Sequence, residues 1–165
     1  MKQKRLFLMC GPAGCGKTTW VKKEIAQAKV PCVHISRDAV RAQFWKDDSD
    51  DYFAYEDQVF AEFCRQIKEV LQEVNPAEAI FVDATHLSEK ARNKVLNTLD
   101  LTNVELNAVS FEVPLEQVLA QNELRKDQGR AYVPRSVIRR MYDSYRPPTN
   151  KEKYKYNRIL HIREK

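Results

Sequence analysis

The sequence predicts an α/β fold of three layers, with a parallel β-sheet between helices that cover both of its faces. Short apolar runs of strand length alternate along the chain with longer segments of helical periodicity, and this alternation is typical of parallel sheets. Of the 165 residues, 43% are hydrophobic and 31% are charged. This composition is enough for a hydrophobic core, and the length is close to that of one average domain. We therefore expect a single domain over residues 1–165.

Five short apolar segments are predicted to be strands. The second contains the β-branched Val33 and Ile35, and the third, AIFV, is predicted to be buried. The predicted strands are Arg5–Cys10, Pro31–Ser36, Ala79–Val82, Val104–Val113 and Tyr156–Ile162. Ligands of such sheets bind at the carboxyl ends of the strands, so the residues directly after each strand are the candidates for function.

Six longer segments are predicted to be helices. The longest has apolar residues at helical spacing and must end before Pro76, Ser88 is a candidate N-cap, and Pro114 stands in a first turn. The predicted helices are Lys17–Ala28, Asp38–Trp45, Tyr52–Val74, Ser88–Leu99, Pro114–Lys126 and Pro134–Tyr145. An acidic, exposed loop is predicted at residues 46–51.

The cysteines and the apolar runs exclude several classes of protein. The four cysteines form no CxxC pair and have no set of histidines near them, so neither a zinc site nor a disulfide framework is expected. The apolar run Leu6–Cys10 is far shorter than the roughly 20 residues of a membrane span and is too short for a signal-peptide core. We expect a reduced, soluble, cytoplasmic protein without a membrane partner.

A phosphate-binding loop follows the first predicted strand. Residues 11–18 read GPAGCGKT and match GxxxxGK[ST] between a strand and a helix, which is the context that the motif requires. Glycines let backbone N–H groups turn toward a phosphate, and the start of the helix adds its positive dipole end. Lys17 is predicted to bind the β- and γ-phosphates of ATP or GTP, and Thr18 to bind Mg²⁺. A glycine-rich turn that only connects strand to helix is the alternative.

The predicted nucleotide contacts lie throughout this loop. They are Gly11, Ala13, Gly14, Cys15, Gly16, Lys17, Thr18 and Thr19. Cys15 stands at a helix N-terminus near Lys17, a position that can lower the pKa of a thiol. We expect alkylation of Cys15 to block nucleotide binding and bound ATP to protect the thiol. The alternative is a small side chain that fills space.

Asp38 and Arg41 follow the second predicted strand, which we expect to neighbour the phosphate-loop strand in the sheet. Asp38 could be a general base that accepts the proton of an attacking hydroxyl, or it could be the N-cap of the short helix. Arg41 lies three residues further on and therefore on the same side of the helix. Its guanidinium could hold a phosphate of the substrate through two parallel hydrogen bonds.

Asp83 closes the third predicted strand and is followed by Ala84, Thr85 and His86. An apolar run that ends in a single aspartate is the pattern of the carboxylate beside Mg²⁺ in phosphate-loop proteins. We therefore expect Asp83 and Thr18 at one metal ion. His86 is expected to contact the backbone or the substrate rather than metal, because no other metal-ligating residue has a matching spacing.

Basic residues surround the polar loop near Gly129. Arg125, Arg130 and Lys126 are predicted to belong to a lid over about residues 125–133 that closes over the transferred phosphoryl group. A solvated charged loop is the alternative. Residues 120–165 contain 13 Lys and Arg against 5 Asp and Glu, whereas the whole chain carries only +5. This basic half suggests an anionic ligand or partner.

Five segments together resemble one family. They are GPAGCGKTT, SRDAVR, VDATHLS, NELRKDQGRAYVP and MYDSYRPPT. In this order they are similar to the phosphoryl-transferase domain of phage-type polynucleotide 5′-kinases and the small P-loop kinases related to it. The resemblance extends from Leu6 to Ile162. It implies a P-loop kinase-type sheet of four or five parallel strands, and transfer of a phosphoryl group from an NTP to the 5′-hydroxyl end of DNA or RNA.

The resemblance also implies roles for individual residues. Asp38 would be the general base, Arg41 would bind the 3′ phosphate of the acceptor, and either Arg125 or Arg130 would touch the donor phosphates. Related small P-loop kinases act on small molecules, and a non-catalytic NTP-binding switch would have no need of Asp38 and Arg41. The predicted acceptor is a nucleic-acid 5′ end, with a small molecule or a nucleotide as the alternative.

Overall fold

Five parallel strands form one sheet in the order β2-β3-β1-β4-β5. The protein is described by a computed structural model that covers residues 3–44, 54–127 and 133–163, the side chains of residues 126 and 127 excepted. The strands are β1 (Lys4–Cys10), β2 (Cys32–Ser36), β3 (Ala79–Asp83), β4 (Val104–Phe111) and β5 (Arg158–Ile162). The five predicted strands and the parallel α/β fold are thereby confirmed.

The position of β2 differs from the prediction. We expected β2 to neighbour β1, but β3 lies between them and pairs with both. Burial explains the order, because all five residues of β3 are buried whereas only one residue of β2 is. The more apolar strand takes the central place, where both faces are covered by helices.

The described residues form six helices. They are α1 (Lys17–Gln27), α2 (Arg37–Phe44), α3 (Glu56–Leu71), α4 (Glu89–Leu96), α5 (Leu115–Asp127) and α6 (Arg135–Ser144). Ser88 is the N-cap of α4, as predicted, and its hydroxyl accepts a hydrogen bond from the backbone N–H of Ala91 at 3.1 Å. Helix α3 ends earlier than predicted, and Val74 is 90% exposed. None of these helices is both long and apolar enough to cross a membrane.

Two hydrophobic clusters, one on each face of the sheet, make up the core. Successive side chains of β1 point to opposite faces, so Leu6 and Leu8 join one cluster and Met9 joins the other. Helices α2, α3 and α4 pack on the first face, and α1, α5 and α6 pack on the second. The predicted three layers are therefore present, and the carboxyl ends of the strands lie between the two helical layers.

A buried ion pair connects α4 to the segment before β5. The guanidinium of Arg92 donates to both carboxylate oxygens of Glu152, at 3.1 and 2.7 Å, and to the carbonyl of His86 at 2.9 Å. Both side chains are almost fully buried, at 1% and 6% exposure. This contact holds the chain after α6 against α4 and against the loop that follows β3.

Replacement of Arg92 measures how much this ion pair contributes to the stability of the fold. Arg92→Met leaves the Glu152 carboxylate buried without its partner, and we expect a loss of about 3–5 kcal/mol in the free energy of unfolding, measured by urea denaturation. Arg65→Met is the matched control, because Arg65 pairs with Glu62 and Glu69 on the exposed face of α3. It should change stability little. Equal losses for both variants would contradict this account.

Candidate functional site

The phosphate-binding loop has the backbone conformation that its glycines predict. Gly14 and Gly16 have φ values of 84° and 97°, in the left-handed region that other residues rarely adopt. A Cβ atom at Gly14 would also lie 3.1 Å from the carbonyl oxygen of Val118, so α5 packs directly on the loop. Both position and conformation therefore require glycine there.

Lys17 lies inside the curve of this loop. Its Nζ donates to the carbonyls of Gly11 at 2.9 Å and Pro12 at 2.8 Å, and the residue is only 8% exposed. A buried ammonium needs such partners, because an unpaired charge in the interior is strongly unfavourable. The loop thus holds the positive charge of Lys17 in place next to the backbone N–H groups that would face a phosphate.

The thiol of Cys15 has a different environment from the one predicted. The residue is 2% exposed, and burial raises the pKa of its thiol although Lys17 lies 3.6 Å from Sγ and lowers it. Desolvation outweighs the helix N-terminus and the lysine here, so the thiolate is disfavoured. The expected lowering of the Cys15 pKa is therefore wrong, and the alternative of a small buried side chain is supported. The block of nucleotide binding by alkylation stays a prediction.

Asp83 joins the ends of several elements. Its Oδ2 accepts hydrogen bonds from the hydroxyl of Thr18 at 2.8 Å and from Nε2 of His34 at 2.8 Å, and it is 5% exposed. Burial raises the pKa of Asp83, but these two bonds and the charge of Lys17 outweigh burial and hold the pKa below its usual value. The structure therefore brings Thr18 and Asp83 into contact, as the sequence predicted.

Asp38 and Arg41 form a second cluster at the end of β2. Asp38 accepts from Arg41 at 2.6 Å, and Ser36 rather than Asp38 caps α2, because the Ser36 hydroxyl accepts from the N–H of Ala39 at 3.2 Å. The N-cap alternative for Asp38 is therefore wrong. The side chain of Asp38 is instead 56% exposed, and the residue lines the cleft described below.

Glu56, in the first turn of α3, completes this cluster. Its carboxylate accepts from Nε and Nη2 of Arg41, both at 2.8 Å, and from Arg37 at 3.3 Å. Burial raises the pKa of Glu56, but the hydrogen bonds and charge of Arg41 outweigh burial and keep the pKa below its usual value. Glu56 therefore stays ionised and holds the Arg41 guanidinium in one orientation beside Asp38.

A cleft of about 250 Å³ brings the two clusters together. One wall is formed by the phosphate loop and Asp83, and the opposite wall by α2 and the start of α3. Its charged and hydroxyl-bearing lining residues are Lys17, Thr18, Arg37, Asp38, Arg41, Glu56, Asp83, Thr85 and Arg125. The predicted residues after β1, β2 and β3 thus face one space at the carboxyl edge of the sheet.

Seven of the eight predicted loop contacts divide between two cavities, and Gly11 lines neither of them. Ala13 and Gly14 line the cleft together with Lys17 and Thr18. Cys15, Gly16 and Thr19 line a second cavity of about 260 Å³, with Trp20, Lys23, Phe111, Val113 and Ile162. The two cavities are adjacent, since the phosphate loop contributes to both.

Part of the predicted lid is described. Arg125, on α5, lines the cleft, as do Val133 and Met141. The side chain of Asn122 donates to the carbonyl of Val133 at 2.5 Å and accepts from its N–H at 3.2 Å, so α5 is held to the last residue of the predicted lid. Arg130, the side chain of Lys126, Gly129 and the acidic loop predicted at residues 46–51 lie outside the described residues.

His34 and Glu56 are site residues that the sequence did not single out. His34 lies within a strand, and Glu56 stands in a helix first turn, where acidic residues are common because they compensate the helix dipole. The side-chain alternation of β2 was the available signal for His34, since it places residues 34 and 36 on one face. For Glu56, only the packing of α3 on α2 reveals the partner.

A sequence profile of the AAA domain family matches residues 6–148. The chain belongs to the AAA domain family. No curated protein sequence matches it significantly. Among solved structures, it is similar to a chain of the Pnkp1/Rnl/Hen1 RNA repair complex, with a TM-score of 0.72 and 22% identity over 87% of this chain and 44% of that chain. This AAA-family chain therefore spans less than half the length of that relative.

Two further structures share the fold over most of their length. A fungal RNA kinase is similar with a TM-score of 0.64 and 15% identity, over 98% of this chain and 74% of that one. A gluconokinase from Sinorhizobium meliloti 1021 is similar with a TM-score of 0.58 and 12% identity, over 99% and 84%. These likenesses confirm the predicted P-loop kinase-type fold for this member of the AAA domain family.

His86 follows Thr85, which lines the cleft, and is itself buried at 4% exposure. Its Nδ1 donates to the carbonyl of Met9 at 2.6 Å, which confirms the expected backbone contact. Its Nε2 is buried without a hydrogen-bond partner among the described residues. Burial lowers the pKa of His86 from 6.5 to about 4, so the ring is neutral at neutral pH.

The buried His86 predicts a loss of stability in mild acid. Between about pH 6.5 and pH 4 the unfolded chain binds a proton at His86 that the folded chain does not bind, so stability falls as the pH falls. The contribution at pH 5 is on the order of 2 kcal/mol. His86→Asn tolerates the φ of 41° and does not titrate.

Urea denaturation at pH 7 and pH 5 measures this effect. The wild-type protein should lose more unfolding free energy between the two pH values than His86→Asn does. An identical loss in both proteins would show that His86 is not the titrating group.

Proposed function

We propose that this chain is a kinase that transfers the γ-phosphoryl group of ATP or GTP to a hydroxyl, most directly the 5′-hydroxyl end of DNA or RNA. One observation carries the proposal: a single cleft has a phosphate-binding loop on one wall and an exposed carboxylate, Asp38, with two arginines on the other. A phosphoryl donor and a hydroxyl acceptor need these two walls. The similarity of the fold to an RNA kinase and to an RNA repair complex supports this acceptor.

The donor phosphates would bind at the phosphate loop. Lys17 would direct its Nζ donors from the carbonyls of Gly11 and Pro12 to the β- and γ-phosphates, and Arg125 would add a second positive charge from α5. The second cavity fits the nucleobase, because Trp20, Phe111, Val113 and Ile162 give it aromatic and apolar surface next to the same loop.

Thr18 and Asp83 fit a magnesium ion. The Thr18 hydroxyl donates to Asp83 and keeps lone pairs that can bind a cation, and carboxylate and hydroxyl oxygens are ligands that Mg²⁺ prefers. No cluster of three metal-ligating side chains occurs in the described ranges, which suits an ion held mainly by phosphates and water. When bound, the ion would neutralise charge on the donor phosphates.

Asp38 would accept the proton of the acceptor hydroxyl. As that oxygen forms its bond to the γ-phosphorus, the bond from phosphorus to the bridging oxygen breaks and the nucleoside diphosphate leaves with the electron pair. Arg41 would position Asp38 through their 2.6 Å contact, and Glu56 would fix Arg41 in turn. The exposure of Asp38 leaves its carboxylate accessible to a substrate from the cleft.

The test is transfer of labelled γ-phosphate from ATP and GTP, with Mg²⁺, to single-stranded DNA and RNA that carry a 5′-hydroxyl. Asp38→Asn should lower kcat by about 100-fold or more while nucleotide binding persists, because it removes the general base. Asp57→Asn is the matched control: it makes the same chemical change in the first turn of α3 and does not line the cleft. It should retain full activity.

Three outcomes would count against parts of this proposal. Equal activity of wild-type protein and Asp38→Asn would remove the general-base role. Nucleotide binding without transfer to either nucleic acid would indicate a small-molecule acceptor. Binding without transfer to any hydroxyl acceptor would indicate a non-catalytic switch.

A further inference from the structure

His34 reaches the carboxyl edge of the sheet from within β2. The parallel register pairs His34 with Phe81, and Asp83 lies two residues further along the same face of β3. The imidazole of His34 spans that step, so that its Nε2 lies 2.8 Å from Oδ2 of Asp83. Because an ionised carboxylate only accepts hydrogen bonds, Nε2 carries the hydrogen and is the donor.

The two oxygens of the Asp83 carboxylate have different surroundings. Oδ2 accepts both hydrogen bonds that the carboxylate receives from the described residues, one from the Thr18 hydroxyl at 2.8 Å and one from His34. Oδ1 accepts neither of them, and it is not one of the fully buried, unpartnered atoms in the described part of the chain. Since Asp83 lines the cleft, Oδ1 is the oxygen left for a cation or its water ligands there.

The bond from Thr18 does not fix this arrangement by itself. The terminal torsion of an aspartate side chain has a broad energy minimum, so a carboxylate with one hydrogen bond can still rotate. The bond from His34 comes from a different strand and holds Oδ2 from a second direction. Thr18 is itself a candidate ligand of the ion. Among the described residues, His34 is therefore the donor to Asp83 that would take no part in binding the metal.

His34 acts on the cleft only through Asp83. Its side chain is 19% exposed, and the residue is not among those that line the cleft. An imidazole nitrogen is also not a ligand that Mg²⁺ prefers, since this ion favours oxygen ligands. An effect of His34 on a bound ion must therefore pass through the carboxylate that it holds.

We propose that His34 is the positioning residue for the metal ion of the phosphoryl donor. This inference rests on the proposed function. By holding Oδ2, His34 directs Oδ1 of Asp83 into the cleft, toward the ion that Thr18 and the donor phosphates would also bind. His34 thereby sets how strongly Mg²⁺ tightens the binding of ATP. Outer hydrogen-bond partners of metal ligands influence metal affinity in this way.

Calorimetric titration of ATP with and without Mg²⁺ tests this role in two variants. His34→Met has a side chain of similar size without the donor, and it should lose about tenfold of the tightening that Mg²⁺ produces. His34→Gln places an amide N–H near the position of Nε2 and should recover most of that loss. The affinity for metal-free ATP should stay unchanged in both variants, because the phosphate loop keeps its own contacts.

A double-mutant cycle shows whether His34 acts through Asp83. In the Asp83→Asn background, His34→Met should cost little more of the Mg²⁺ effect, since the carboxylate that it orients is already gone. His161→Met is the matched control, because His161 also contacts a carboxylate, that of Glu112, and lines neither cavity. This control should show the full Mg²⁺ effect of the wild-type protein.

Kinetics separate this role from an effect on the acceptor, because β2 leads directly into α2, which carries Asp38. In the phosphoryl-transfer assay, His34→Met should raise the Mg²⁺ concentration that gives half-maximal activity. The KM of the 5′-hydroxyl strand should stay unchanged. A rise in that KM with an unchanged Mg²⁺ requirement would assign His34 to the support of α2 and overturn the inference.

The remaining results are also distinct. A full Mg²⁺ effect in His34→Met would overturn the inference, as would ATP binding by the wild-type protein that Mg²⁺ does not tighten. Loss of metal-free ATP binding in His34→Met, or an additive loss in the Asp83→Asn background, would give His34 a role in the fold alone and overturn it as well. If the wild-type protein binds ATP with Mg²⁺ but transfers no phosphoryl group, the proposed function is wrong, and the calorimetric comparison still decides the role of His34.

Discussion

The buried carboxylate of Asp83 receives hydrogen bonds from two segments that are remote in sequence, at 2.8 Å from Thr18 and at 2.8 Å from His34. The parallel register places Asp83 opposite Met9, two residues before the phosphate loop, and opposite Ser36, directly before α2. One side chain thus fixes the separation between the loop that would hold the donor and the helix that carries Asp38. An ionised carboxylate at this depth persists because its partners outweigh the desolvation that burial imposes.

The α2 side of the cleft depends on a second set of contacts. Glu56 holds Arg41, and Arg41 holds Asp38, so that the exposed carboxylate has a defined position although it lies in a short helix at the sheet edge. Arg37 and Lys94 both contact the ring of Phe60, but neither makes two hydrogen bonds to one carboxylate of the described residues as Arg41 does. Arg41 is thus held by two carboxylates, whereas Arg37 makes one 3.3 Å contact with Glu56, a difference that residue type alone does not reveal.

Local patterns predict most of the elements and the phosphate-loop side of the cleft. The phosphate loop, Lys17 and Thr18 stand in consecutive residues, and each strand is a short apolar run. The order of the strands, by contrast, depends on which strand is buried on both faces, so the place of β2 was predicted wrongly. Glu56 is joined to Arg41 only by the packing of two helices, and the thiol of Cys15 is governed by burial rather than by the helix terminus. Each of these differences arises from contacts between segments that are distant in sequence.

Calorimetric titration of ATP with and without Mg²⁺ tests most directly the central claim that Asp83 and Thr18 hold the metal of a phosphoryl donor. Mg²⁺ should tighten ATP binding to the wild-type protein, and Asp83→Asn should lose about tenfold or more of that enhancement while it retains metal-free binding. Asp100→Asn, an exposed aspartate in the turn after α4, should behave as wild type. An undiminished effect of Mg²⁺ in Asp83→Asn would contradict the account.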